Sequence, residues 1–256
     1  MNMRSLFVVA HNTFRETVRD KILYNLVFFA LLLIGVSVLL GTLTIGEQAK
    51  IVSDVGLAAI NLVGVVIAIF VGISLVSKEI ERRTIYTILA RPITRTQFLL
   101  GKYGGLGCVM AVNLAIMMAM FLTTIALSGN PVHASLFQAI QLILVETLLV
   151  TAMAMFFSTF SSPTLSAIMT IGFYLIGHLT TDLKAIAEKS KSPVSELIMS
   201  GLYYVCPNLE WLNIKGQAAR GVMVGGEYQL AATAYGLIYA SLLLFGACRI
   251  FERRDF

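Results

Sequence analysis

Apolar residues occur in long uninterrupted runs along this chain, separated by short polar stretches. No Asp, Glu, Lys or Arg occurs between Tyr103 and Val145, or between Thr147 and Thr181. A helix crosses the bilayer with about 20 apolar residues, because each residue rises 1.5 Å through a hydrocarbon core about 30 Å thick. The runs that meet or approach this length are Asn25–Leu43, Val55–Val76, Tyr103–Leu127, Leu136–Phe160, Thr164–Leu179 and Tyr228–Cys248. None alternates like a barrel strand, so the pattern predicts an all-α integral membrane protein with six transmembrane helices.

Composition excludes an ordinary soluble domain. Hydrophobic residues make up 57% of the 256 residues and charged residues only 13%, against about 45–50% and about 25% in soluble globular proteins. The polar stretches are too short for a separate soluble domain. We therefore expect residues 1–256 to form a single transmembrane domain.

The distribution of basic residues predicts the orientation in the membrane. With six spans, thirteen of the nineteen Lys and Arg residues fall on one side, in the N-terminal segment, the loop after span two and the C-terminal tail. Cytoplasmic loops are enriched in Lys and Arg, so both termini are expected in the cytoplasm. The basic charge is then explained by the membrane surface, and nucleic acid is not an expected partner.

Two segments outside the spans are predicted to be amphipathic. Phe7, Ala10, Phe14 and Val18 recur at helical spacing, which indicates an N-terminal interfacial helix, although a solvated basic tail remains an alternative. Residues 180–227 are expected to form one or two amphipathic helices packed on the outer surface before the last span.

The loop of residues 77–102 has the most informative pattern outside the spans. Glu79, Arg82, Arg83 and Tyr86 fall on one face of a short helix, and Pro92 ends that helix. Thr94 and Gln97 are spaced for a capping box at the start of the next helix. The loop either binds a cytoplasmic partner or serves only as a positively charged orientation signal.

The loop sequence E-x-E-R-x-T followed by I-L-x-R-P-I-T-R-x-Q-F-L-x-G-K resembles the first cytoplasmic loop of ABC-2 type transporter permeases, with the NosY-like branch nearest. In that family the loop forms a coupling helix that docks on a separate ATPase. The resemblance implies that this chain is a permease subunit, an exporter of the prokaryotic inner membrane, working with an ATPase subunit and a second permease subunit. The residues it assigns to the ATPase contact are Glu79, Glu81, Arg82, Arg83 and Tyr86. Arg83 stands where many members have Gly, which favours a continuous helix there.

A phosphate-binding loop is missing from the sequence. The only Gly-Lys pair, Gly101-Lys102, lacks both the earlier Gly and the following hydroxyl of G-x-x-x-x-G-K-[ST]. We therefore expect no cofactor on this chain, with ATP and Mg bound by the partner ATPase. The surrounding glycines, Gly101, Gly104, Gly105 and Gly107, are typical of close helix packing.

Glu146 is the one acidic residue within a predicted span. Burying a carboxyl group in the membrane costs enough free energy to suggest a function, here on a substrate path. A protonated or hydrogen-bonded carboxyl group that supports packing is the favoured interpretation. His178 is expected at the outer interface. The methionines are better explained as adaptable packing residues than as ligands on a copper path. The three histidines match no protease motif, so the chain is not expected to be an enzyme.

Two classes of function remain open from the sequence. One is a transport subunit driven by a partner ATPase. The other is a non-transporting ABC-type membrane subunit that transmits force to, or anchors, an extracytoplasmic partner.

Overall fold

The computed structural model describes residues 3–19, 21–42, 47–81, 94–180, 199, 201–203 and 205–253. Within these ranges the regular structure is helical and no strand occurs. The α-helices are α1 (Met3–Val18), α2 (Lys21–Thr42), α3 (Gln48–Glu81), α4 (Arg95–Leu127), α5 (Ser135–Ser158), α6 (Pro163–His178), α7 (Lys215–Ala219) and α8 (Gly226–Arg253), and a 3₁₀ helix covers Leu209–Leu212.

Each predicted apolar run coincides with one of the long helices α2 to α6 or with α8. Four stretches are long and apolar enough to cross a membrane, namely Gln48–Ser77, Arg95–Leu127, Ser135–Ser158 and Gly226–Arg253, and a shorter apolar helix covers Leu26–Leu39. Helix α6 has 16 residues and rises about 24 Å, less than the hydrocarbon core. The predicted all-helical, multi-pass membrane architecture is confirmed at this level.

Successive long helices run in opposite directions, so the bundle has two distinct ends. One end, here called the terminal end, carries α1, the starts of α2, α4 and α6, and the last turns of α3, α5 and α8. The opposite end, here called the far end, carries the starts of α3, α5 and α8 and residues 205–225. This alternation places the N-terminal helix and the tail of α8 at the same end.

Helices α3 and α5 form the centre of the bundle, and most of their side chains are buried. Glycines on α3 let the two helices approach closely: a Cβ on Gly64 would lie 2.9 Å from Thr147 Cγ2, and one on Gly72 would lie 3.2 Å from Ala154 Cβ. Lipid gives apolar helices little reason to associate, so packing of small residues holds such bundles together. The outer faces of α4 and α8 instead expose large apolar side chains such as Met120 and Leu230, as expected of surfaces that meet lipid.

The N-terminal helix α1 packs on the first turns of α4 at the terminal end. Gly101 and Gly105 permit this contact, because a Cβ there would lie 2.7 Å from Val9 Cβ and 2.4 Å from the Ala10 carbonyl oxygen, respectively. The predicted close packing is confirmed at these two glycines and at Gly107 against Leu148, but it is wrong for Gly104, where nothing lies within 4 Å of a Cβ.

Small residues of α1 contact the bundle, and part of its apolar face stays exposed. Thr13 and Thr17 are buried against the bundle, whereas Phe7 is 70% exposed. Hydroxyl-bearing residues face the protein because small side chains fit the close approach to α4. Phe7 is left on the outside, where it can enter the membrane interface.

Residues 205–225 extend the bundle where α6 is short. Leu209 and Pro207 cover Gly177 in the last turn of α6, with Leu209 Cγ 2.9 Å from the position of a Cβ there. Leu209, Leu212, Ile214 and Ala218 are all buried, and burial raises the pKa of the nearby Cys206 thiol. Residues 205–225 therefore pack into the far end of the bundle, against the last turn of α6. The amphipathic helices expected on the outer surface fall mainly on residues 181–198, which lie outside the described residues, so they remain a prediction.

The glycine contact between α1 and α4 gives a testable expectation for stability. Gly105→Ala places a methyl group against the backbone of α1, and overpacking of this kind costs about 1–3 kcal/mol. Gly104→Ala is the matched control, since nothing lies within 4 Å of a Cβ at that position. Thermal unfolding of the detergent-purified protein should show a lowered Tm for Gly105→Ala alone. Equal Tm values for the two variants would contradict the close packing.

Candidate functional site

The centre of the bundle contains one buried polar cluster, built around Glu146 of α5. This residue is 0% exposed and lies eleven residues after Ser135, about 16 Å along the helix from the far end. A carboxyl group at this depth has no access to water, so its partners must come from neighbouring helices.

Two helices supply those partners. His178, the last residue of α6, brings its Nε2 to 2.9 Å from Glu146 Oε1, and Asn61 of α3 donates from Nδ2 to the same oxygen at 3.5 Å. His178 is therefore more than the interface residue that the sequence predicts, because it contacts Glu146. Because α6 is short, its last turn reaches only as far as Glu146.

The cluster continues toward the far-end surface through the 3₁₀ helix. His178 Nδ1 lies 3.6 Å from Glu210 Oε2, and the Glu210 side chain is 44% exposed while that of His178 is 20% exposed. The Tyr174 ring packs edge-on against the His178 ring with centroids 4.8 Å apart, and its hydroxyl faces Glu146 and Asn61. One imidazole therefore bridges a fully buried carboxyl group and a half-exposed one.

Two acceptor atoms in this cluster have no hydrogen-bond donor among the described residues: Oε2 of Glu146 and Oδ1 of Asn61. Both residues are nearly or completely buried. Buried polar atoms are normally paired, because an unpaired one costs about 1–3 kcal/mol. One oxygen of the Glu146 carboxyl group, Oε1, therefore has hydrogen-bond partners, whereas Oε2 does not.

Sequence reasoning identified Glu146 but not Asn61 or Glu210. The available signal was that His178 is the one basic side chain in predicted spans four and five, the first of which contains Glu146. Gln141, the nearest amide side chain on α5, points elsewhere and donates to Thr233 Oγ1 of α8 at 3.2 Å, in keeping with its angular separation from Glu146. The partners come from three different segments, so only packing brings them together.

Two of the predicted ATPase-contacting residues lie at the terminal end. Glu79 and Glu81 are in the last turn of α3, whereas Arg82, Arg83 and Tyr86 lie outside the described residues. The shared face proposed for these side chains therefore remains a prediction.

The two helices that flank this loop are tied to the bundle. The buried Lys102 of α4 donates from Nζ to the Leu75 carbonyl oxygen of α3 at 2.8 Å. Arg95 donates from Nη1 to the Phe251 carbonyl oxygen of α8 at 3.1 Å, and Thr96 donates to the Glu252 carboxylate. Both ends of the loop are therefore attached to a packed frame.

The start of α4 has the predicted cap. Gln97 donates its backbone N–H to Thr94 Oγ1, and Thr94 donates its own backbone N–H to Gln97 Oε1, both at 3.3 Å. The capping box expected from the sequence is confirmed. It fixes the point at which the chain re-enters the bundle after the loop.

The methionines show no shared orientation. Met117 and Met153 are buried, whereas Met120 is 47% exposed on the outer face of α4. Across the described ranges, no three His, Cys, Asp or Glu side chains are arranged to hold a metal ion. Packing accounts for the buried methionines.

The sequence matches a known family over almost its entire length. Residues 7–255 match the family model for ABC-2 family transporter proteins. No curated protein is significantly similar to this chain. The match includes every long helix described above, the loop at the terminal end and the inserted segment at the far end. The chain therefore belongs to the ABC-2 family of transporter membrane proteins.

Proposed function

We propose that this chain is the membrane-spanning permease subunit of an ATP-driven ABC transporter, with ATP hydrolysed by a separate subunit. The observation that carries the proposal is the family match over residues 7–255. The sequence also lacks a phosphate-binding loop, so ATP and Mg are assigned to the partner. Export across the prokaryotic inner membrane is the proposed direction and rests on the resemblance of residues 77–102 to permease loops.

The proposed topology has six spans, with the terminal end in the cytoplasm. Helix α2 and the short α6 count as spans in this arrangement, and residues 205–225 fill the space beyond α6. Thirteen of the nineteen basic residues then lie on the cytoplasmic side, as the positive-inside rule requires.

The proposed ATPase contact is the charged face of Glu79, Glu81, Arg82, Arg83 and Tyr86. A coupling element must transmit movement to the spans, which requires rigid attachment at both of its ends. The hydrogen bonds of Lys102 and Arg95 support this role, because they join α4 to α3 and to α8 directly beside the loop.

A second candidate function is a non-transporting membrane subunit that holds an extracytoplasmic partner. It is favoured by the loop before α8, in which Val222 and Met223 are both more than half exposed. A force transmitter would require this part of the chain to bind a partner protein, whereas a transporter would not.

Cysteine labelling tests the topology. In a background where Cys108, Cys206 and Cys248 are replaced by alanine, a membrane-impermeant thiol reagent should react with Lys189→Cys from outside the cell. It should react with Arg254→Cys only after the membrane is opened. Labelling of Arg254→Cys in intact cells would contradict the six-span arrangement.

Charge removal on the loop tests coupling. Losing one member of a partly desolvated charge pair costs about 2–5 kcal/mol, so Glu79→Ala or Arg82→Ala should insert normally but retain the co-expressed ATPase poorly and lose transport. Lys50→Ala is the control, because it removes a charge at the far end, where Lys50 pairs with Glu47 at 3.1 Å. Substitution of Ile88 or Leu89 should instead lower expression by loosening the loop from the membrane.

The double variant tests the proposed ATPase contact directly. If Glu79→Ala combined with Arg82→Ala leaves ATPase retention and transport unchanged, the loop is only an orientation signal. The proposed ATPase contact would then be wrong.

Assembly gives an independent test. Six helices are half of the usual twelve-helix arrangement of the family, so we propose two permease subunits, in the simplest case identical, with two ATPases. Native mass spectrometry of the purified complex should show this two-to-two composition. One permease subunit with a pair of ATPases would be inconsistent with it.

A further inference from the structure

The Glu146 carboxyl group has two oxygens in different surroundings. Oε1 accepts hydrogen bonds from Asn61 Nδ2 and faces His178 Nε2, whereas Oε2 has no donor. The Asn61 amide group likewise has one paired and one unpaired atom: Nδ2 donates to Oε1, whereas Oδ1 has no donor. Two buried acceptors are thus left over from one carboxyl–amide pair.

A carboxylate cannot satisfy both atoms, because it only accepts hydrogen bonds and the single O–H of Tyr174, which faces both residues, can serve only one of them. A carboxylic acid can, since its O–H group is a donor. With the hydrogen on Oε2, the acid donates to the amide Oδ1 while the amide Nδ2 donates to Oε1. A single proton then pairs both of the leftover acceptors.

Electrostatics favours the same state. Glu146 is fully buried, and the described Lys and Arg side chains form no ion pair with it. The groups that face it are Asn61 from α3, Tyr174 and His178 from α6 and, beyond the imidazole, Glu210 of the 3₁₀ helix. Among the described residues, the nearest group that could carry a positive charge is the His178 imidazole, with Nε2 2.9 Å from Oε1. Beside a neutral imidazole a carboxylate at this depth is costly, and a bound proton removes its charge.

We propose that Glu146 and Asn61 form a proton-binding site at the centre of the membrane domain, connected to the far-end surface through His178 and Glu210. This inference goes beyond the permease role and does not rest on it. The bound proton joins α3 to α5, and His178 joins both helices to α6 and to the inserted segment. Loss of the proton would leave a charged Oε2 beside the Asn61 carbonyl oxygen and weaken the contact between α3 and α5.

Release of the proton follows from the two nitrogens of His178. The carboxyl group turns its O–H away from Asn61 Oδ1 and toward His178 Nε2. This nitrogen can accept the hydrogen bond when the imidazole carries its own hydrogen on Nδ1. The O–H bond of Glu146 breaks as an Nε2–H bond forms, and the Nδ1–H bond breaks as its proton passes to the Glu210 carboxylate. Glu146 becomes the carboxylate, Glu210 becomes the acid, and the imidazole stays neutral in its other tautomer.

Infrared spectroscopy of the purified full chain in lipid nanodiscs tests the site without the ATPase. The wild type at neutral pH should show the carbonyl stretch of a protonated carboxylic acid, and this band should be absent from Glu146→Gln. The glutamine amide can donate to Asn61 Oδ1 as the acid does, so this variant should keep a wild-type Tm. Identical spectra for the two proteins would show that Glu146 is a carboxylate and overturn the proposal.

Three further variants examine the proposed partners. In Asn61→Leu the acid loses its amide acceptor, so the band should move to higher frequency; an unmoved band would overturn the pairing with Asn61. Tyr174→Phe should retain the band at its wild-type position, and loss of the band there would place the proton with the tyrosine instead. In Glu210→Gln the band should keep its intensity but shift more slowly after transfer to D₂O, whereas wild-type exchange kinetics would overturn the path through Glu210.

A negative infrared result would leave the permease proposal intact. ATPase retention and transport depend on the loop at the terminal end, whereas the carboxyl band is measured on the isolated chain. The two proposals can therefore fail separately.

Discussion

Lipid cannot hydrogen-bond to protein, and this constraint governs the described structure. Backbone groups are paired within helices, and side-chain hydroxyls in the core mostly donate to carbonyl oxygens of their own helix, as Thr151 and Thr170 do. Glu146 differs from these hydroxyls, because its carboxyl group needs partners from other helices. The contact of α3, α5 and α6 at this point therefore depends on polar pairing as well as on packing.

The short helix α6 connects the buried cluster to the far-end surface. Its last turn brings His178 level with Glu146, and the gap beyond it is filled by residues 205–225. The shortness of α6 therefore gives the cluster its route to Glu210. At the terminal end the arrangement is different, since Lys102 and Arg95 donate to backbone carbonyl oxygens and tie neighbouring helices together around the loop.

The two proposed activities thus occupy opposite parts of one bundle. The ATPase contact is assigned to the loop that follows α3, and the proton site uses Asn61 in the first half of the same helix. Helix α3 is central and tightly packed through Gly64 and Gly72, so a displacement at one end is transmitted along a rigid element. This continuity gives a physical basis for linking events at the loop to the state of the buried carboxyl group.

The sequence by itself determined the helical class, the apolar runs and the cap at Thr94, because these depend on local spacing and on the length needed to cross lipid. It also singled out Glu146, since one acid in an uncharged run is conspicuous. Only the tertiary structure decided that Asn61, His178 and Glu210 surround it, that Phe7 faces outward, and that residues 205–225 insert into the bundle. Those features depend on helix length mismatch and on the close approach of glycines to neighbouring helices, which residue spacing within a single helix does not encode.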